Sequence, residues 1–210
     1  MVAGDIYESL LRYDSELKPS GQLAESWEIS EDGKTYTFKL RKGVVFHDGE
    51  PFTSADVKFS MDKFLRETHS RMRTYMEHVE SIDTPDDYTV VFKLKQPFGP
   101  FLGIFEPGTA PVIPKHIYEG TDFANNPANA NPIGTGPFKF AEWVKGSYIR
   151  LVRNEDYYME GKPYVDEIYY QVIPDAASRA VAYETGQVDV LPGGAIENFD
   201  VPRIREMDNT

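Results

Sequence analysis

The chain lacks cysteine altogether, and this excludes disulfide bonds, thiolate metal sites and cysteine nucleophiles. It also lacks an apolar run that approaches the roughly 20 residues of a membrane-spanning helix, so we expect no membrane span within it. No secretory signal follows Met1. The polar, helix-like stretch that starts there instead predicts a chain that begins inside a longer one.

Motifs of the common enzyme classes are absent as well. The sequence has no Gly-x-Ser-x-Gly elbow, no phosphate-cradling glycine loop and no His-Glu-x-x-His run. The Gly-Thr-Gly at 134–136 is too short for a dinucleotide fingerprint. Because no nucleophile can be paired with a base, the sequence predicts no catalytic residue, no enzyme activity and no bound cofactor.

The titratable side chains show no metal-ligand spacing. We interpret His47 and Asp48 as part of a structural turn, and the acidic stretch 83–87, which contains a Thr-Pro pair, as another turn. No metal site is therefore predicted. The four histidines are scattered along the chain, at His47, His69, His78 and His116.

What the chain has in excess is negative charge. Its formal net charge is -12, and 40% of its residues are apolar and 13% aromatic. This is the composition of a globular protein with a substantial core. An acidic surface favours solubility and disfavours nucleic acids and anionic membranes as partners, but it does not identify a ligand.

Apolar spacing and turn residues predict an irregular mixture of helices and strands. Hairpin turns are expected at 31–34 and 145–146, and long loops at 96–114 and 125–136. This order favours an α+β or mixed α/β fold. Helices are predicted over 5–13, 52–65 and 175–185, with another that starts near 200 and runs past the end; strands are predicted over 25–30, 35–41, 88–95, 137–144, 147–153, 165–173 and 188–191.

The sharpest local signal is the start of the second predicted helix. Thr53 takes the N-cap position and Asp56 the third helical position, as in a capping box. Phe52 and Val57 stand where a hydrophobic staple would close. Because the apolar residues that follow recur at helical spacing, this helix is expected to bury one face.

Segments spread over nearly the whole chain share one family pattern. The longest is 32–57, and the others, in order, are 6–11, 23–27, 132–138, 153–158 and 186–190. Together they resemble the family 5 bacterial solute-binding proteins, the receptors of ABC importers for oligopeptides, dipeptides and nickel. Much of the long segment also has a purely structural explanation, since it combines a hairpin, a turn and a capped helix.

The resemblance implies the first lobe of a type II periplasmic-binding-protein-like fold with an extra subdomain. Residues 1–18 and 134–191 would form the main α/β subdomain, 19–133 the extra subdomain, and 192–210 the start of a connection to a second lobe. Family members run to roughly twice this length or more, which is typical of two lobes. The chain is therefore expected to be a fragment that binds ligand weakly on its own.

By the same resemblance, the whole protein is the substrate-binding component of an ABC importer. It would capture a small solute, preferably a peptide, between two lobes and deliver it to a membrane permease. It would work in the periplasm or outside the cell, and a lipid anchor on the full-length protein is compatible with this. No nucleic acid, metal or cofactor is implied.

Three places are expected to face the ligand cleft. One is the loop of Gly108, Thr109, Ala110 and Pro111, which aligns with a loop of the family that projects toward the ligand. The second is Pro192, Gly193 and Gly194, after the last predicted strand. The third is Gly134 and Thr135, where the chain returns between subdomains. Most of these residues have no polar side chain, so we expect the ligand to be held by hydrogen bonds to main-chain groups or by shape complementarity.

Alternative functions stay open on the sequence. The solute could be a nickel chelate or an oligosaccharide instead of a peptide. An interaction or signalling receptor on the same fold would bind no small solute, and an enzyme would turn over a peptide, ester or phosphoester.

The tyrosines at 157–158, 164 and 169–170 could stack against a ligand or pack in the core.

Overall fold

The computed structural model describes residues 2–207, which form two compact units. Among the described residues, the first unit comprises 2–141 and 151–167, and the second comprises 142–150 and 168–207. Helices and strands are mixed throughout, which confirms the predicted α+β class. The division into subdomains at 1–18, 19–133, 134–191 and 192–210 stays a prediction.

Nine strands and seven α-helices are present within residues 2–207. The strands are β1 (Leu11–Tyr13), β2 (Pro19–Gly21), β3 (Ala24–Ile29), β4 (Thr35–Leu40), β5 (Val79–Asp86), β6 (Thr89–Leu94), β7 (Phe138–Val144), β8 (Tyr148–Arg153) and β9 (Glu167–Gln171). The helices are α1 (Val2–Ile6), α2 (Ser54–Phe59), α3 (Leu65–Thr68), α4 (Ser70–Met76), α5 (Lys115–Tyr118), α6 (Ala176–Glu184) and α7 (Val201–Arg205). A π-helical turn spans Ser60–Phe64, and 3-10 turns span Gly99–Ile104 and Pro127–Ala130.

An antiparallel four-stranded sheet of order β3-β4-β6-β5 organises the first unit. Alternation along β4 and β6 turns one face of each strand toward the core. Four phenylalanines on this sheet and the following 3-10 turn pack with ring centroids 4.9 to 5.8 Å apart, mostly edge to face. They are Phe38, Phe92, Phe101 and Phe105, and all four are fully buried.

The predicted helix start is confirmed, and the structure shows which side chain fixes it. One oxygen of the Asp56 carboxylate accepts hydrogen bonds from the Thr53 backbone N–H (2.9 Å) and from the Thr53 hydroxyl (3.2 Å). Its other oxygen accepts from the backbone N–H of Lys115 (3.0 Å). Phe52 and Val57 are buried in the same core cluster, as a staple requires. Asp56 thus ties the helix to the segment that leads into α5.

Four sequence expectations for local structure are wrong. The helix predicted to start near 200 and run past the end of the chain ends at Arg205. The helix predicted over 5–13 ends at Ile6, because the backbone of Leu11 pairs with Phe105 and β2. The turn predicted around Thr84 and Pro85 lies inside β5, and the chain turns after Asp86 instead. No strand is present at 188–191. The Val188 N–H instead bonds to the Ala182 carbonyl at the end of α6.

The second unit is small. Asp175 caps α6 by accepting from the Ser178 N–H at 2.8 Å, and Gly186 ends the helix with a φ of 71°. Ala180, Tyr183 and Ile204 form its buried cluster.

The β7–β8 hairpin turns at the predicted place, where the Ser147 N–H donates to the Val144 carbonyl. Within residues 2–207, no helix is long and apolar enough to cross a bilayer.

We predict that Asp56→Ala destabilises the chain more than Thr53→Ala does. Asp56→Ala leaves the N–H groups of Thr53 and Lys115 without their acceptor, at a cost of about 3 kcal/mol. Thr53→Ala removes one hydroxyl contact and should cost about 1 kcal/mol or less. Urea unfolding followed by circular dichroism measures both, with Asp56→Asn as the isosteric control. Equal midpoints for the two alanine variants would contradict this account of the helix start.

Candidate functional site

The loop predicted to face a ligand, Gly108 to Pro111, is anchored from behind. The Ser9 hydroxyl donates to the Ala110 carbonyl at 2.7 Å, and the N–H that follows the loop bonds to the Glu8 carbonyl at 2.8 Å. Ala110 is fully buried and Thr109 is only 8% exposed. Gly108 is exposed and Pro111 half-buried, so these two positions provide most of the loop's accessible surface.

The segment 134–136 passes through the interior of the first unit. On one side, the Gly136 N–H donates to the Ile6 carbonyl at 2.9 Å. On the other side, His47 holds it with three bonds: the His47 N–H donates to the Gly134 carbonyl (2.9 Å), and both ring nitrogens contact the same segment. Thr135 is 1% exposed. Gly134 and Thr135 are thus packed inside this unit.

Two glycines are required for this passage. A β-carbon on Gly134 would collide with the carbonyl oxygen of Ile6, and one on Gly136 with that of Asp5. These obstacles are backbone atoms, which cannot rotate away as a flexible side chain could. The Gly-Thr-Gly sequence therefore has a steric explanation that requires no ligand.

The hydroxyl of Thr135 leads to a buried acid, Glu8. Glu8 is 0% exposed, and its carboxylate accepts from the hydroxyls of Tyr157 (2.8 Å), Tyr158 (2.9 Å) and Thr135 (3.1 Å). Within residues 2–207, no cation forms an ion pair with it. Burial raises the pKa of the Glu8 carboxyl to about 7, although the hydrogen bonds from these hydroxyls lower it.

The two tyrosines stay protonated in this arrangement. Burial is the main reason that the pKa of each phenol is raised, and the neighbouring Glu8 charge raises it further. Both hydroxyls therefore remain donors. Arg41 lies over the Tyr158 ring, 5.6 Å from its centroid. Tyr157 and Tyr158 are thus committed to Glu8, whereas Tyr164 and Tyr169 are exposed.

Burial favours the neutral form of the His47 ring, and its two contacts determine which nitrogen carries the proton. Nε2 lies 2.9 Å from the Gly136 carbonyl, which can only accept, so Nε2 carries the proton. Nδ1 lies 3.3 Å from the Gly134 N–H, which can only donate, so Nδ1 is unprotonated. Burial lowers the pKa of the His47 imidazole to about 4, against the opposing effect of the Gly136 hydrogen bond.

The second unit carries the third predicted segment at the edge of an open cavity of about 360 Å³. Pro192, Gly193 and Gly194 are exposed. Among the residues that the structure describes, the N–H groups of Gly193 and Gly194 make no intramolecular hydrogen bond. The lining is mainly apolar and comprises Tyr183, Asp189, Val190, Leu191, Pro192, Gly193, Gly194, Ile196, Val201 and Ile204.

Sequence reasoning missed Glu8 and Ser9 because both fell inside a predicted helix. A charged residue among apolar neighbours at 6–11 was the available signal, but the sequence does not show that Thr135 and two tyrosines meet it. The structural interpretation of His47 agrees with its contacts. Asp48 is partly exposed and bonds to His116 at 2.8 Å. Within residues 2–207, no cluster of three metal-ligating side chains is present.

Comparison with known proteins identifies the family. The family model of the bacterial extracellular solute-binding proteins, family 5 (middle), matches residues 18–207. The chain belongs to this family. Its members are solute-binding proteins of the cell exterior, so the predicted family is confirmed.

Relatives within family 5 agree in both sequence and fold. The oligopeptide-binding protein AppA of Bacillus subtilis is 40% identical over 203 residues, which is 94% of this chain and 35% of AppA. AppA solved with a nonapeptide matches 99% of this chain and 41% of its own, with a TM-score of 0.85 at 33% identity. Campylobacter jejuni NikZ, solved with Ni(L-His), matches 98% of this chain and 40% of its own, with a TM-score of 0.85 at 29% identity.

The chain therefore spans well under half the length of these family 5 proteins. What the 210 residues themselves contain is a rigidly held loop at 108–111, a buried polar cluster around Glu8 and an open cavity at 192–194.

We predict that Gly136→Ala prevents normal folding of the first unit or destabilises it by about 3 kcal/mol, because its β-carbon meets backbone oxygens. The matched control is Gly103→Ala, whose β-carbon would meet no atom within 4 Å. Chemical denaturation of both variants measures the difference. If the two midpoints agree, the passage of 134–136 is looser than the contacts indicate.

Proposed function

We propose that the whole protein is the extracytoplasmic substrate-binding component of an ABC importer and that its solute is a peptide. Membership of family 5 is the observation that carries this proposal. The oligopeptide-binding relative AppA supports a peptide in particular. In this role the protein delivers the solute to a membrane permease, works in the periplasm or outside the cell, and catalyses no reaction.

The segment Pro192 to Gly194 is suited to a peptide main chain. Free N–H groups on Gly193 and Gly194 can donate to peptide carbonyls, and the lack of side chains lets another backbone approach closely. The cavity beside them is within the volume range of small-molecule sites, about 300–1,000 Å³. Its apolar walls can accept side chains of different shapes without selecting one.

The loop at 108–111 contributes rigidity. Because Ser9 and Glu8 hold its buried residues, Gly108 and Pro111 can meet a ligand with little loss of conformational freedom. For Gly134 and Thr135 we propose a supporting role: they are packed inside, and Thr135 connects to Glu8. Direct contact of these two with the ligand would require the interior of the first unit to open.

A nickel chelate is the second candidate solute. It is favoured by the similarity to NikZ, which was solved with Ni(L-His). Since the described residues contain no three-ligand metal cluster, this chain would have to recognise a chelate through its organic part. Native mass spectrometry of the full-length protein, purified without denaturation, distinguishes a carried peptide from a carried metal chelate. Detection of neither would favour an interaction or signalling receptor.

We predict that Gly193→Val weakens peptide binding by the full-length protein at least about tenfold, equivalent to 1.4 kcal/mol. A β-carbon at Gly193 meets no atom of the chain within 4 Å, so the variant should fold while its side chain occupies the approach to the cavity. Gly99→Ala, which also meets nothing, is the control and should bind as before. Calorimetry with the carried peptide measures both. Unchanged affinity of Gly193→Val would remove 192–194 from the site.

We also predict that the 210-residue chain binds the same peptide about a thousandfold more weakly than the full-length protein. Loss of about 4 kcal/mol of contact energy from a second lobe has this effect. The cost of association, several kcal/mol, remains the same. Parallel calorimetry on both proteins measures the ratio. Equal affinities would show that the site lies wholly within these residues.

A further inference from the structure

Two titratable groups, the buried Glu8 and the half-buried His47, contact the same three-residue segment, and the proposed function uses neither charge. Glu8 meets the segment through the Thr135 hydroxyl at 3.1 Å. His47 meets it through Gly134 and Gly136. The segment cannot move away from either group, because its glycines are closely packed against the backbone of residues 5 and 6.

The surroundings of Glu8 favour a neutral carboxyl group. It has no exposed surface, and its partners are neutral groups, three hydroxyls and the Gln22 side chain, not cations. Arg41 lies over the Tyr158 ring and the Arg12 charge acts on Tyr157, but neither arginine forms an ion pair with Glu8 among the described residues. A proton on the oxygen nearest Thr135 would face a hydroxyl, which can also accept.

The surroundings of His47 favour a neutral imidazole, for a different reason. A second ring proton would point at the Gly134 N–H, which is itself a donor. The nearby charges oppose each other: Lys139 disfavours the imidazolium, and Asp48, already bonded to His116, favours it. Protonation therefore requires the ring to break its contact with Gly134.

We propose that Glu8 and His47 form a compensating pair: folding adds a proton to Glu8 and removes one from His47, so that their combined contribution to the stability of the first unit stays constant across mildly acidic pH. An unfolded chain between about pH 4.5 and 6.5 has an ionised glutamate and a protonated histidine. The folded chain has both groups neutral. The total number of bound protons at this pair is then the same in both states.

The number of protons that each group binds in the folded and unfolded states determines whether its contribution to stability rises or falls with pH. Glu8 binds more protons when folded, so its contribution to stability falls as the pH rises from about 4.5 to about 7. His47 binds fewer protons when folded, so its contribution rises as the pH increases from about 4 to about 6.5. The two slopes cancel where these ranges overlap. Each group alone would make the stability of the first unit depend on pH in this range, and together their contributions cancel.

Removal of one member should expose the slope of the other. In the Glu8→Gln variant only the His47 contribution remains, so stability should increase with pH. The ratio of its unfolding equilibrium constant to that of the unmutated chain should fall up to about tenfold for each unit of pH increase. In His47→Gln, it should rise by the same factor. The double variant should return to the original slope at lower stability. Glu25→Gln, an exposed change in β3 with the same loss of charge, is the control and should keep the original slope.

The measurement is urea unfolding at several pH values in a Trp143→Phe background. Trp27 is then the single tryptophan and reports on the first unit. If neither single variant changes the slope, or if only one does, the proposed compensation is overturned.

A spectroscopic measurement on the intact cluster keeps the proposal testable if a variant fails to fold. With 13C-labelled glutamate and 15N-labelled histidine, the folded chain should show one carboxyl that titrates near neutral pH. It should also show one imidazole that is still neutral, with its proton on Nε2, at about pH 5. Tyr157→Phe removes a donor to the carboxylate and should move that titration to higher pH. Ordinary titration of every glutamate and histidine would refute the pair.

Discussion

The passage of residues 134–136 through the first unit is the constraint on which the rest of that unit depends. The segment has room only for glycine at two of its three positions, since the backbone of residues 5 and 6 lies against it. Its backbone bonds to Ile6 on one side and to His47 on the other. The end of α1, the turn before α2 and the start of β7 are thereby fixed relative to one another.

Buried polar groups make this arrangement specific. Glu8 connects the crossing segment to the turn after β8, and its backbone connects to the chain after the loop at 108–111. A buried acid is costly unless its oxygens are satisfied, and here three hydroxyls satisfy them. An apolar residue in its place would pack, but it would not select these partners. The same bonds that define the fold thus hold the loop that we propose meets the ligand.

The second unit has a different character. Its buried cluster is small, and several large apolar side chains are exposed, including Val190 and Phe199, both 77% exposed. The segment at 192–194 has free backbone donors beside an apolar cavity. In our proposal, the anchored loop at 108–111 and the free main-chain donors at 192–194 each have a property that suits a peptide ligand.

The sequence by itself determined the features that depend on neighbours in the chain. The β3–β4 hairpin, the capped start of α2, the β7–β8 turn and the end of α6 at Gly186 follow from turn residues, caps and alternation, and all are confirmed. Family membership also followed from segment order. Only the tertiary structure decided the rest, because the partners are remote. Glu8 meets residues 127 to 150 positions away, and the 5–13 stretch lost its helix to pairing with distant backbone.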